Sequence, residues 1–140
     1  MTLKNRTKPD YWESAKKLLR SRDSVLRSII DGTDDLKYLQ KTCTPFQTIA
    51  NAIIGQQISI AAADSITKRL KKACGAINKD NILKSTSVEL KKTGLSNQKV
   101  KYLKGLANHI DKNRYYFKAL EIMSDNEVTE NLCKLYGVGA

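Results

Sequence analysis

From Thr44 to Ser124 the chain repeats one grammar: a capping hydroxyl, apolar residues three and four apart, then a glycine or another cap. That grammar specifies helices, because a side-chain oxygen satisfies the free first-turn N–H groups and the 3–4 spacing builds one apolar face. Thr44 caps, Pro45 takes the first helical position, and Phe46, Ile49, Ala50, Ile53 and Ile54 fall together. A second helix over 60–73 turns Ile60, Ala63, Ile66, Thr67, Leu70 and Ala73 inward and stops at Gly75. Short helices follow at 80–84 and 87–92, ended by Gly94. Ser96 then caps a helix over 98–112 with Val100, Leu103, Leu106, Ala107 and Ile110 inward. A further short helix fits 115–123, and Ser124 or Asp125 caps one over 127–136 with Val128, Leu132 and Leu135 in register.

The N-terminal part reads the same way. Asp10 is placed to cap a helix carrying Trp12, Ala15, Leu18 and Leu19. Asp23 or Ser24 starts another, with Val25, Leu26, Ile29 and Ile30, closed by Gly32, and a short turn follows at 36–39. No window alternates with period two, so the fold class is all-α, a bundle of helices. At 140 residues the chain suits a single domain over 10–140 behind a basic tail at 1–9.

Charge narrows the partners. The net charge is +11, and eleven basic residues between Lys68 and Lys104 face only Asp80 and Glu89. A one-sided basic surface attracts polyanions, nucleic acid above all. Lysines that merely solvate helix faces would give the same count, and charge alone leaves both readings open. A mean hydropathy of -0.45 and the lack of an apolar run near 18 residues exclude a membrane span. The first six residues lack the apolar core of a secretory signal, so a cytoplasmic location is expected, or one alongside DNA. Cys43, Cys74 and Cys133 are too widely spaced for a zinc site or disulfide framework and read as reduced thiols, mostly buried. His109 is the sole histidine and has no partner for a triad or a metal set, so no metal or cofactor is expected.

Three segments carry more than structure. In Ile53-Ile54-Gly55-Gln56-Gln57-Ile58-Ser59, Gln57 continues the apolar stripe and projects where a core residue belongs. It is either a buried amide bonding nearby backbone or a polar wedge able to enter a duplex. The second segment, 93–103, is a glycine turn, a serine cap and a basic amphipathic helix; residue by residue it reads as structure. The third, Leu135-Tyr136-Gly137-Val138-Gly139, is either a helix stop or a hairpin whose bare backbone approaches a phosphate.

In this order the three segments resemble the helix–hairpin–helix DNA glycosylase superfamily, and within it the alkylated-base branch, the 3-methyladenine DNA glycosylase II type. Tyr11-Trp12, Ala15, Leu18 and Asp23, then Pro45-Phe46, then Ala61-Ala62 with Ile66 and Arg69, extend the likeness from Asp10 to Gly139. The resemblance implies base excision repair on double-stranded DNA by a monomer that flips a damaged base and hydrolyses its N-glycosidic bond. It implies that Gln57 is the wedge, that Gly137, Val138 and Gly139 grip phosphate, and that an alkali cation assists at the hairpin. Trp12 and Phe46 become candidate walls for a cationic base, though each also suits a helix core.

Two departures qualify this. Tyr136 stands where the family hairpin carries proline, and the family's catalytic aspartate lies past the point where the chain stops at Ala140. Asp125, Glu127 and Glu130 precede the hairpin and read as first-turn helix charges. The expectation is therefore an N-terminal portion with no catalytic residue and no base release of its own. The alternative is a non-enzymatic basic helical DNA-binding module.

Overall fold

The computed structural model describes residues 8–33, 38 and 42–139. Among these every regular element is a helix, as the period-3.6 pattern requires. The chain divides into two compact units, residues 1–42 and 43–140. The division falls inside the span 10–140 that reads as one domain in sequence.

The first unit is a helix pair, α1 (Trp12–Arg22) and α2 (Ser24–Asp31). Asp23 is the hinge: its carboxylate accepts from the Val25 and Leu26 N–H groups at 2.8 and 2.9 Å, capping α2. The pair is fastened by Arg27 Nε donating to the Arg20 carbonyl at 2.9 Å and by an Arg20–Asp31 ion pair at 2.8 Å. Asp10 does not cap α1. Tyr11 takes the N-cap position without a side-chain bond, one residue later than expected. The turn expected at 36–39 and most of the basic tail lie outside the described residues.

The second unit comprises α3 (Pro45–Gly55), α4 (Ile60–Cys74), α5 (Lys79–Lys84), α6 (Ser87–Lys92), α7 (Asn97–Lys112), α8 (Tyr116–Leu120) and α9 (Asp125–Cys133). Thr44, Ser59, Asn78, Thr86, Ser96 and Ser124 each accept a first-turn N–H, so six of the seven starts are capped by side chains. The long helix α7 is the hub and packs on α3, α5 and α6. Its Leu103, Leu106 and Ala107 join Ala50, Ile53, Ile54, Leu70, Ile82 and Leu90 in a core that water hardly reaches. Burying each of these leucine and isoleucine side chains contributes roughly 1.5–3 kcal/mol.

Several expectations shift. Ile60 is 83% exposed rather than inward, because it opens α4 before that helix reaches the core. At the other end Cys74, not Ala73, turns toward the core. The last helix is Asp125–Cys133 and stops three residues short of the expected end, yet Leu135 is still buried, carried in by the turn that follows. All three cysteines are only half-buried.

Candidate nucleic-acid interface

The α3–α4 junction forms because Gly55 is the last residue of α3 and Ser59 caps α4, leaving three residues to reverse direction. Gln57 resolves this by adopting a left-handed conformation, φ 57°, the one positive φ among the described non-glycine residues. A side chain there costs about 1 kcal/mol or more. The helix has ended before it, so Gln57 does not continue the stripe of Phe46, Ile49 and Ile53. It is exposed, and the expectation of a core position is corrected.

The turn is pinned from α7. The Lys99 ammonium donates to the Ile54 carbonyl at 2.6 Å and to the Gln56 carbonyl at 2.8 Å. These carbonyls belong to the end of α3, where no further turn supplies donors and the helix dipole is negative. Partial burial lowers the Lys99 pKa from the ordinary lysine value, while the two carbonyls favour the charged form.

A second link closes the site. Gln56 Nε2 donates to the Gly137 carbonyl at 2.9 Å, joining segments 81 residues apart. Gly137 has φ 89°, and a Cβ there would sit 2.2 Å from Cγ of the Tyr102 ring. Glycine is therefore required twice over, by conformation and by the ring beneath it. Tyr102 also meets the Tyr136 ring edge-on at 4.8 Å, and its hydroxyl accepts from Gln98 Nε2 at 2.5 Å. Tyr136, in the place of proline, thus packs its ring on α7.

The result is an open groove of about 790 Å³. The turn contributes Gln56 and Gln57, the start of α7 contributes Ser96, Gln98, Lys99 and Tyr102, and residues 137–139 form the opposite lip. Its chemistry is amide, hydroxyl, ammonium, aromatic ring and bare backbone, with no carboxylate among the lining residues. The N-terminal end of α7, positive by its dipole, opens into it. Such a surface suits a phosphate-bearing strand.

The groove brings Gln57 together with Gly137, Val138 and Gly139, four of the residues singled out in sequence. It does not include Trp12, half-buried on α1 in the first unit, or Phe46, only 6% exposed in the core of the second. Phe46 is thereby a packing residue. Lys99, Gln56 and Tyr102 were not legible as site residues, since each looks like an ordinary member of a helix or turn. Among the described residues no cluster of His, Cys, Asp or Glu could hold a metal ion. Within the hairpin segment the Leu135 carbonyl accepts from Val138 N at 3.0 Å and the Gly137 carbonyl from Gln56 Nε2.

Residues 50–140 match the HhH-GPD superfamily of base excision DNA repair proteins, and the chain belongs to that family. Two solved structures resemble its fold. One is the DNA-3-methyladenine glycosidase of Bacillus halodurans, with TM-score 0.73 and 24% identity over 89% of this chain. The other is the 3-methyladenine DNA-glycosylase of Archaeoglobus fulgidus, with TM-score 0.71 and 20% identity over 96% of this chain. The chain spans 58% of the first and 54% of the second. No curated protein sequence matches it.

Proposed function

We propose that the chain is the DNA-engaging portion of a glycosylase that removes alkylated bases, acting as a monomer on damaged duplex DNA. The observation that carries this is Gln57, an exposed amide in a strained backbone conformation at the edge of a carboxylate-free groove. Backbone strain of this kind is kept where a side chain must point one way. In this reading Gln57 enters the stack and occupies the gap left by a flipped nucleotide. An amide suits the gap because it both donates to and accepts from the edge of an orphaned base. Flipping costs a few kcal/mol and is cheapest at a damaged pair. Residues 137–139 and the start of α7 hold the strand by its phosphates, without reading sequence. The groove itself holds DNA and carries no group for hydrolysis.

The test compares an abasic duplex with an intact one. Gln57→Ala should lose about tenfold in affinity for the abasic duplex, some 1.4 kcal/mol, and clearly less for the intact one. Equal losses on both duplexes would remove the wedge from the proposal.

A further inference from the structure

Three cationic side chains of the second unit are engaged by backbone rather than by an acidic partner; Arg69 is exposed, and Lys99 and Lys104 are half-buried. Each donates to backbone carbonyls at the C-terminal end of a helix. Arg69 Nε donates to the Thr93 carbonyl beyond α6 at 2.7 Å. Lys104 Nζ donates to the Leu83 carbonyl near the end of α5 at 3.0 Å and also to the Ser85 carbonyl. Lys99 Nζ does the same for α3, through Ile54 and Gln56. Of the three helix ends, the one held by Lys99 carries Gln57.

That end is poorly held without it. The turn's own backbone bonds, Gln56 N to the Ile53 carbonyl and Ile58 N to the Gly55 carbonyl, are both 3.4 Å, long for an N–H···O bond. A left-handed residue after a helix is ordinarily glycine, and Gln57 lacks that freedom. The short contacts in the turn are those from Lys99, which flank Gln57 on its N-terminal side and come from a separate helix.

We infer that Lys99 is a positioning residue: its ammonium clamps the Ile54 and Gln56 carbonyls and thereby holds the turn in the conformation that presents Gln57 to the groove. The inference rests on the wedge reading of Gln57 for its function, while the clamp itself is a claim about the free protein. Lys99 thus acts on DNA damage recognition through Gln57, in addition to any charge it offers a phosphate.

The experiment uses the full chain and two readouts. The Gln57 Cα shift and its amide–Hα coupling report the positive φ in the absence of DNA. The ratio of affinities for an abasic and an intact duplex reports the wedge. Lys99→Met should lose the positive-φ signature and lower the ratio about tenfold, to the level of Gln57→Ala, and adding Gln57→Ala should lower it no further. Lys104→Met, which removes the equivalent clamp at α5, should lower the melting temperature while keeping both the signature and the ratio.

Lys99→Arg keeps the charge but spreads it over a planar fork that does not reproduce one nitrogen between two carbonyls. It should lower the ratio about threefold, and it carries the test if Lys99→Met fails to fold. A Lys99 variant that folds and keeps the Gln57 signature and the wild-type ratio overturns the inference. A ratio lowered equally by Lys104→Met also overturns it, since general destabilisation would then be the cause. A wild-type chain with no preference for abasic DNA overturns the wedge reading instead, and the Gln57 signature still decides the clamp.

Discussion

Gly137 is the residue on which the groove's second lip depends. Its left-handed backbone and the Tyr102 ring 2.2 Å from where a Cβ would stand are independent demands, and only glycine meets both. Gly137→Ala should therefore cost about 2–4 kcal/mol, more than a positive-φ alanine alone, because the ring is itself packed and must move. Urea unfolding would show it as a lowered midpoint with an unchanged slope. Gly139→Ala is the control, since nothing lies within 4 Å of a Cβ there. Gly137 could be picked out in sequence because a Gly-x-Gly after a helix is a local pattern. Tyr102 could not, because its meeting with Gly137 is made by tertiary packing.

Among the elements, most helix starts and the ends at residues 84, 92 and 112 were legible, whereas the ends of α3 and α9 were not. A start is written within four residues: Thr86 with Glu89, and Ser124 with Glu127, are capping boxes in which each partner bonds the other's backbone. An end such as that of α3 is completed by a lysine 45 residues away, and no local pattern announces it. Gln57 shows the consequence, since helical spacing carried it into the core while the actual end of α3 turned it outward.

The boxes also set a pH response. Backbone and side-chain bonds from Thr86 hold the Glu89 pKa below its ordinary 4.5, and side-chain and backbone bonds from Ser124 do the same for Glu127. A carboxylate whose folded pKa is depressed stabilises the fold above its unfolded pKa, and that contribution is lost as pH falls through the folded value. An acid titration followed at the Thr86 and Ser124 amides should accordingly show midpoints below 4.5. Glu127→Gln should abolish the Ser124 transition and leave that of Thr86.

For the whole molecule, the basic excess between residues 68 and 104 separates into two populations. Arg69, Lys99 and Lys104 serve backbone carbonyls, and Lys79 bridges Asp80 and Asp111. Among the described residues Lys68, Lys71, Lys72, Lys84, Lys91, Lys92 and Lys101 are exposed and make no ion pair or hydrogen bond through their side chains. The two readings that charge left open are both present, then, in different residues. Each phosphate neutralised steepens the dependence of log K on log salt by about 0.9. Duplex binding should thus fall with a slope of about −3 or steeper. Lys104→Met should leave that slope unchanged, and a slope near zero would exclude phosphate contacts. The all-α class was legible because it rests on periodicity, a property of the whole chain. The division at residue 42 was not, because no change of composition marks it.

The Gln56–Gly137 bond has a consequence for the order in which this molecule is put together. It closes a loop of 81 residues, whereas α5, α6 and α7 meet over much shorter stretches of chain. Long loops carry the larger closure entropy and form after local contacts have made them affordable. Contact order therefore predicts that the hub around α7 assembles first and the groove closes last. A late closure of that kind can part while the hub stays intact, as exchange-labile regions do in many folds. Native-state hydrogen exchange should then find the amides of the surface proposed to meet DNA opening before those of the hub.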